Sequence, residues 1–410
     1  MDEWVPRATS AVGLIMMMGI AWLTSSHRSR IPWRAVSWGL LIQFALGIFL
    51  LKTSIGIATF DLASKGVETL LTYANMGTRQ VFGPLMDTGF SFALGVLPII
   101  VVMGSLFAIL YHIGLVQWVV RGLARVLRST MGTSPAESLA AISNIFVGMT
   151  ESSLVIKPYL SQLTRSELFA TMSVGMATVA GSVLLAYVNI LGGGDFAGHL
   201  LTASILSAPA GLLLAKIMIP ETEVPRTTIQ QGVAVEKSSH NIIDAAAEGA
   251  INGLRLAAYV GAMLLAFVAL IHMTNGILGS LGSWVGLPEL SFQGILGVIL
   301  APVAFMMGVP WQDAENVGSL MGVKIVLNEF LAYQELGVQM AAGELSERSR
   351  IIASYALCGF ANFGSLAILI GAIGAMAPER RAEVAELGLR SILAGSLATF
   401  MTACVAGILL

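Results

Sequence analysis

Apolar runs long enough to cross a bilayer alternate along this chain with short polar loops. A transmembrane helix needs about 20 mostly apolar residues, because each residue adds only about 1.5 Å along the helix axis. Runs of this kind occupy residues 8–25, 36–51, 92–120, 167–191, 200–219, 243–278, 351–375 and 384–409, and a further apolar segment ends near Gly308. The pattern predicts an all-α membrane protein that crosses the lipid bilayer many times.

Composition agrees with this pattern and excludes other classes of protein. Hydrophobic residues make up 56% of the 410 residues and charged residues 11%, whereas an ordinary soluble domain carries about 25% charged residues. The net charge of −2 gives no indication of nucleic-acid binding. The two cysteines, Cys358 and Cys404, lie in apolar stretches and cannot form a disulfide framework or a cysteine-based zinc site. No motif indicates an enzyme or an organic cofactor.

Basic residues predict how the chain is oriented in the cell (inner) membrane. Residues 27–34 hold three arginines and a histidine. Because cytoplasmic loops carry an excess of Lys and Arg, this loop is predicted to face the cytoplasm, which places the N-terminus outside. Three arginines at the end of the predicted span 92–120, within residues 121–128, mark the same side. Residues 55–74 carry Asp61, Lys65 and Glu68 and are predicted to lie in the interface.

Two segments are apolar enough to enter the membrane but are interrupted by polar residues. Residues 134–163 carry Glu137, Asn144, Glu151 and Lys157 around Gly148, and residues 311–336 carry Asp313, Glu315, Lys324, Asn328 and Glu329. Each half of the first segment is too short to cross about 30 Å of hydrocarbon. Irregular backbone at membrane depth is tolerated only where it lines a cavity within the protein, so a re-entrant helical hairpin is predicted.

The chain divides into two halves that resemble each other. Residues 175–182 align, with one gap, to residues 359–365, and in both halves this Gly/Ser-rich block follows a broken hairpin. Duplicated halves with interrupted helices are typical of secondary transporters that bind substrate near the middle of the bilayer. The predicted organisation is an N-terminal segment with two spans (1–54), an interfacial region (55–91), a first repeat (92–219), a polar linker (220–242) and a second repeat (243–410).

Glu151 and Glu329 each lie at the centre of a broken hairpin, where a carboxylate is costly unless it is paired or hydrated. Two interpretations remain open. The two carboxylates form salt bridges with Lys157 and Lys324, or they accept hydrogen bonds from the hydroxyl and N–H groups of a polar substrate.

Three motifs resemble those of the concentrative nucleoside transporters. The run N-I-F-V-G-M-T-E-S-S-L-V-I-K-P at residues 144–158 is similar to the family's first hairpin, V-L-N-E-F at 326–330 to its second, and C-G-F-A-N-F-G-S at 358–365 to its later unwound span. The likeness covers nearly the whole chain. It implies eight transmembrane helices, two re-entrant hairpins, interfacial helices and an inverted-repeat transport core, assembled as a homotrimer that carries nucleosides.

The resemblance also implies which residues bind the substrate and the coupling ion. Base contacts map to the first hairpin tip and to a nearby valine: Gly148, Met149, Thr150, Glu151 and Val183. Ribose contacts map to Glu329, Asn362 and Ser365, and apolar contacts map to Phe360 and Leu256. A sodium ion is expected at the Asn144 and Thr178 side chains and the carbonyls of Val147 and Val179. These are the hard oxygen ligands that sodium prefers.

The hairpin tip and a second position indicate a preference for purine nucleosides. Many family members carry Gln at the position of Met149, and the pair Ser182-Val183 is intermediate between the family's purine and pyrimidine types. The sequence therefore predicts a sodium-coupled nucleoside symporter with a purine bias. A proton-coupled symporter of the same fold is the alternative, and a membrane enzyme or a passive channel is a more distant one.

Overall fold

The computed structural model describes residues 4–87, 92–193, 195–226, 239–284, 286–287 and 289–410, and within them the secondary structure is entirely helical. The first part of the chain forms α1 (Trp4–Leu23), α2 (Trp33–Lys52), α3 (Ser54–Phe82), α4 (Phe92–Gly95), α5 (Leu97–His112) and α6 (Leu115–Met131). The first repeat continues with α7 (Pro135–Val147), α8 (Met149–Val155), α9 (Arg165–Ala177), α10 (Gly181–Ile190) and α11 (Asp195–Met218).

The second repeat follows a linker of which residues 227–238 lie outside the described part of the chain. Its helices are α12 (Ile242–Trp284), α13 (Phe292–Met306), α14 (Trp311–Val326), α15 (Glu329–Ala341), α16 (Glu347–Leu357), α17 (Phe363–Met376) and α18 (Arg381–Leu409). The helices α7–α11 and α14–α18 share one order: a broken helix pair, a broken span and a long helix.

Seven helices of the described residues are long and apolar enough to cross a membrane: Trp4–Leu23, Trp33–Lys52, Phe92–His112, Arg165–Ile190, Phe196–Met218, Ile242–Trp284 and Pro378–Leu409. The number rises to eight if α13 and α14, bent by 117°, count as one span. The predicted span 351–375 consists of two shorter helices, α16 and α17, with a break between them. The count of eight spans therefore stays a prediction.

The prediction of one span over residues 92–120 is wrong. The helix α5 ends at His112, and Gly114 adopts a left-handed conformation with φ of 87°, which most other residues disfavour. The helix α6 that follows is amphipathic. It buries Val116, Val120, Ala124, Leu127 and Met131 and exposes the arginines at 121, 125 and 128. The arginines therefore belong to a separate helix with one polar face.

Burial separates central helices from peripheral ones. In the most apolar part of Arg165–Ile190, 94% of residues are buried, against 22% for Phe92–His112 and 22% for Ile242–Trp284. The broken span α9–α10, together with α11 and α18, therefore forms the core. The helices α1, α2, α5 and α12 lie outside it and expose apolar side chains, as expected for helices in contact with lipid.

Glycines allow α5 and α12 to pack with their backbones in contact. A Cβ atom on Gly104 would lie 2.6 Å from the carbonyl oxygen of Gly249, and one on Gly253 would lie 2.8 Å from that of Ile100. Small residues at spacings of four are the usual means by which membrane helices approach this closely. The two helices therefore form one wall, and the broken helices of both repeats face this wall across a cavity.

Candidate functional site

The four helix breaks of the two repeats meet in the interior. The first pair breaks at Gly148, between α7 and α8, and the second at residues 327–328, between α14 and α15. The spans break at residues 178–180 and 358–362. Gly148 has φ of 94°, and a Cβ atom there would lie 2.9 Å from the Cβ of Ala180. Only glycine therefore suits a tip that presses this closely on the break of α9–α10.

A cavity of 880 Å³ opens between these breaks and the wall of α5 and α12. This volume lies in the range of small-molecule sites, about 300–1,000 Å³. All ten residues predicted to contact substrate line it: Gly148, Met149, Thr150, Glu151, Val183, Leu256, Glu329, Phe360, Asn362 and Ser365. The structure therefore brings together positions that lie more than 200 residues apart in the sequence.

Glu329 is a nearly enclosed carboxylate of the cavity, with 4% of its surface exposed. The Tyr187 hydroxyl donates a hydrogen bond of 2.9 Å to its Oε1, and the Asn362 amide donates one of 2.8 Å from Nδ2 to its Oε2. Glu329 is also the first residue of α15, where the helix dipole stabilises negative charge. A carboxylate has about four lone-pair positions, so the group can accept hydrogen bonds from a ligand in addition to these two.

Asn362 is held in one orientation by the backbone. Its Oδ1 accepts a hydrogen bond of 2.8 Å from the Ser365 N–H and caps the start of α17. Its Nδ2 is thereby directed at Glu329. Two of the three predicted ribose ligands, Asn362 and Glu329, are therefore joined to each other, and the break of α16–α17 supplies the amide that holds the carboxylate.

Neither predicted salt bridge is present among the described residues. The ion pairs there include neither Glu151 with Lys157 nor Glu329 with Lys324. Glu151 lies in the first turn of α8 and is exposed to the cavity, whereas Glu329 is bound by neutral donors. The interpretation of the two carboxylates as acceptors for a polar ligand is the one that this geometry supports.

Tyr187 is a residue of the site that the sequence analysis missed. Its ring is buried and stacks on the ring of Tyr333 at 4.6 Å between centroids. It lies four residues after Val183 on α10, so the two side chains share one face of the helix. That spacing from a predicted contact residue could have identified it.

The four residues expected to bind sodium lie at one junction, where the first tip meets the break of α9–α10. Asn144 and Thr178 are both buried, and the Asn144 amide donates hydrogen bonds to the Thr178 hydroxyl and, at 3.0 Å, to the carbonyl of Val174. Val147 lines the cavity beside them, and the Val179 carbonyl accepts a bond of 3.4 Å from Ser204. The Asn144 amide carries both an NH2 group and an oxygen. Rotation of the amide by 180° would therefore direct its oxygen, in place of the NH2 group, toward an ion at this junction.

The wall of α5 and α12 forms the side of the cavity that lies opposite the hairpin tips. Leu256 is half-buried there, close to Asn252 and Glu248 on the same face of α12. The lining continues to His112, whose Nδ1 lies 2.8 Å from the Ser239 hydroxyl. The sequence analysis identified only Leu256 of this group, because α12 shows no break or charged motif that would have indicated the others.

Comparison with known proteins assigns the whole chain to one kind of protein. Residues 12–85 match a family described as "Na+ dependent nucleoside transporter N-terminus", residues 93–194 match "Nucleoside recognition", and residues 199–407 match "Na+ dependent nucleoside transporter C-terminus". The last match alone covers about half of the chain and includes all three predicted ribose ligands.

Individual relatives agree with this assignment. Solute carrier family 28 member 3 of Mus musculus is 45% identical over 97% of this chain and 58% of its own length. The uncharacterized transporter YutK of Bacillus subtilis is 47% identical over 97% of this chain and 98% of its own. The chain thus spans less than three fifths of the mammalian relative. One relative is named as a solute carrier and the other as a transporter, and neither is named as an enzyme.

A solved structure shares both sequence and fold. The structure of CNTnw in an inward-facing substrate-bound state superposes with a TM-score of 0.92 at 45% identity, over 98% of this chain and 97% of that one. The prediction of an all-α membrane protein is thereby confirmed.

Proposed function

The chain belongs to the Na+-dependent, concentrative nucleoside transporter family, and we propose that it is a symporter that imports nucleosides with the sodium gradient as its driving force. The observation that carries the proposal is the joined pair of Glu329 and Asn362, both of which line the cavity. A ribose offers two adjacent hydroxyl groups. A carboxylate beside an amide and a hydroxyl matches that pattern with charge-assisted hydrogen bonds.

The proposed nucleoside spans the cavity between the two repeats. Its ribose contacts Glu329, Asn362 and Ser365 of the second repeat, and its base contacts the residues of the first tip together with Val183. The ring of Phe360 and the side chain of Leu256 cover the apolar surfaces. Each repeat therefore contributes to one ligand, which suits a site at the interface of duplicated halves.

The proposed sodium ion is transported with the nucleoside and lies at Asn144, Thr178 and the carbonyls of Val147 and Val179. These groups are neutral and coordinate through oxygen, and a hard cation prefers oxygen ligands. The site adjoins the tip that carries Met149, Thr150 and Glu151. Ion binding is therefore expected to order the part of the cavity that contacts the base.

The proposed assembly is a homotrimer in the cell membrane with the N-terminus outside and eight spans, two of its helix pairs being re-entrant hairpins. The glycine contacts between α5 and α12 support a rigid scaffold, because close-packed backbones resist relative movement. The helix breaks of both repeats would then belong to a transport domain that moves against this scaffold. Cross-linking of purified protein in detergent tests the trimer.

We expect a preference for purine nucleosides that is a bias and not an exclusion. Met149 offers apolar, polarizable surface to a two-ring base and lacks the amide that would pair with a pyrimidine edge. Adenosine, guanosine or inosine should compete better than cytidine or thymidine, with uridine intermediate, by about 1–3 kcal/mol. Met149→Gln should shift the ranking toward pyrimidines. Competition by cytidine that equals or exceeds that of adenosine in the unmodified protein would contradict the bias.

Tyr187→Phe should weaken the binding of all nucleosides while leaving sodium activation unchanged. The substitution keeps the ring but removes the hydroxyl that donates to Glu329 Oε1, so the carboxylate loses one of its two fixed partners. A hydrogen bond to a charged group contributes about 1.5–3 kcal/mol, so the KM for uptake is expected to rise about tenfold. Tyr333→Phe is the matched control, because that hydroxyl bonds to the carbonyl of Ser354 and not to Glu329. An equal rise in both variants would show that the effect does not come from the hydrogen bond to Glu329.

The decisive experiment for the proposed function is uptake into proteoliposomes. Purified protein is given a panel of labelled nucleosides with a sodium gradient, a proton gradient or neither. Accumulation of nucleoside above the external concentration only with sodium is the expected result. Accumulation driven by protons alone would assign the alternative coupling, and equilibration without accumulation would identify a passive channel.

A further inference from the structure

Lys324 is a fully buried lysine that the proposed transport cycle does not use. It lies in the last turn of α14, and none of its surface is exposed. Its ammonium donates hydrogen bonds of 2.8 Å to the Thr399 hydroxyl and 3.1 Å to the carbonyl of Ala356. It also lies 5.5 Å from the centre of the Phe400 ring. A buried cation is costly, so its retention calls for a function.

The hydroxyl, the carbonyl and the aromatic ring next to this ammonium are all groups suited to a cation. Thr399 Oγ1 donates its own proton to the carbonyl of Ser396, at 2.9 Å, and therefore presents lone pairs to Lys324. Ala356 lies in the last turn of α16, where carbonyls lack partners within the helix and carry the negative end of its dipole. The face of an aromatic ring attracts cations as well. Within the described residues, no carboxylate forms an ion pair with Lys324.

The first repeat has a corresponding arrangement without a charged side chain. Asn144, in the last turn of α7, bonds to the carbonyl of Val174 in the last turn of α9 and to the hydroxyl of Thr178. Lys324, in the last turn of α14, bonds to a carbonyl in the last turn of α16 and to a hydroxyl. Both side chains thus connect the first arm of a broken pair to the end of a broken span. Asn144 is neutral, so a positive charge at its junction must come from an ion, whereas Lys324 carries the positive charge itself.

The two junctions are in direct contact through Gly359. A Cβ atom at this position would lie 2.6 Å from Thr399 Cγ2 and 2.9 Å from the carbonyl oxygens of Met176 and Ala177. The break of α16–α17, which Lys324 contacts, therefore packs against the residues that immediately precede Thr178.

We propose that the Lys324 ammonium is a tethered cation that takes, at the end of α16, the place that a sodium ion takes at the end of α9, so that a single sodium ion accompanies each nucleoside. The inference rests on the proposed function. Lys324 is a positioning residue in this scheme. It fixes the second break, and its charge offsets that of the Glu329 carboxylate, which lies five residues further along the chain.

Wild-type protein provides the first test, which needs no variant to fold. Uptake of labelled sodium and labelled nucleoside is measured on the same proteoliposomes, and we expect equal molar amounts. A ratio of two sodium ions for each nucleoside would overturn the inference while leaving sodium-coupled transport intact. The absence of any sodium-driven uptake would overturn the proposed function, and the inference with it.

Two neutral variants test the role of the charge. Lys324→Met keeps the length of the side chain but supplies no ion ligand and leaves the buried carbonyl of Ala356 without its partner. Uptake is therefore expected to fall about tenfold or more at every sodium concentration. Lys324→Gln supplies an amide oxygen, as Asn144 does in the first repeat. Its uptake is expected to recover at high sodium, with a steeper sodium dependence and a flux ratio that rises toward two.

Lys65→Gln is the matched control. Because Lys65 is exposed on α3, this substitution should change neither the sodium dependence of uptake nor the flux ratio. Size-exclusion chromatography establishes whether each variant folds. If folded Lys324→Met and Lys324→Gln both keep the wild-type flux ratio and sodium dependence, or if both lose uptake equally at all sodium concentrations, the tethered-cation role is wrong. If neither variant folds, the flux ratio of the wild-type protein decides.

Discussion

Glu329→Gln is expected to reduce the uptake of every nucleoside, purine and pyrimidine alike, by about tenfold or more. A hydrogen bond to a charged group contributes about 1.5–3 kcal/mol, and a loss of about 1.4 kcal/mol lowers an equilibrium constant tenfold. The substitution keeps the shape of the side chain. It removes the charge, however, and replaces one acceptor by an NH2 group that faces either the Tyr187 hydroxyl or the Asn362 amide. Both of these groups donate to the carboxylate. The site would thus lose a fixed partner as well as a ligand for ribose.

Initial rates of uptake for adenosine, uridine and cytidine check this expectation. Glu335→Gln is a suitable control, since Glu335 lies on the same helix, α15, but does not line the cavity. Equal losses for all three nucleosides would agree with a contact to the sugar. A loss restricted to one class of base would show instead that Glu329 contacts the base.

Asn144→Ala is expected to abolish most of the sodium stimulation while the protein still assembles. Asn144 is buried at the junction of the first tip with the break of α9–α10, and an alanine there supplies no oxygen in place of the amide. We expect that neither lipid nor a neighbouring side chain can replace this ligand. The substitution leaves the residues of the α5–α12 wall unchanged, so the proposed trimer should persist in size-exclusion chromatography.

Thr178→Val provides a second test of the same site, because it removes a hydroxyl with little change of shape. Asn189→Ala serves as the control, since the Asn189 amide bonds to the carbonyl of Gly95 at the far end of α10. The half-maximal sodium concentration for uptake is the quantity to measure. Unchanged sodium dependence in both site variants would refute the assignment of the ion to this junction.

Much of the fold could be predicted from the sequence, because lipid imposes strong constraints. Apolar length alone indicated most of the long helices, and the interrupted segments at 134–163 and 311–336 indicated where the chain breaks. The motif around Gly148 was equally informative, since only glycine allows the close contact with Ala180. These features are local and depend on a few residues, so a single sequence is sufficient.

Features that depend on contacts between distant segments could not be predicted. Apolar length did not reveal the end of α5 at His112, because α6 continues the apolar pattern on one of its faces. Tyr187 is one of several aromatic residues in apolar helices, and only the fold shows that its hydroxyl bonds to Glu329. Lys324 was considered as a salt-bridge partner, but its ammonium is bound by a hydroxyl and a carbonyl from two other helices.

The contact of Gly359 with the backbone of Met176 and Ala177 has a thermodynamic consequence for the proposed sites. Two ligands whose sites share such a contact influence each other reciprocally: the factor by which sodium raises the affinity for nucleoside must equal the factor by which nucleoside raises the affinity for sodium. A larger side chain at residue 359 would separate the breaks and reduce both factors together. In the proposed transporter, the absence of a side chain at this one position would thus favour the joint binding of sodium and nucleoside.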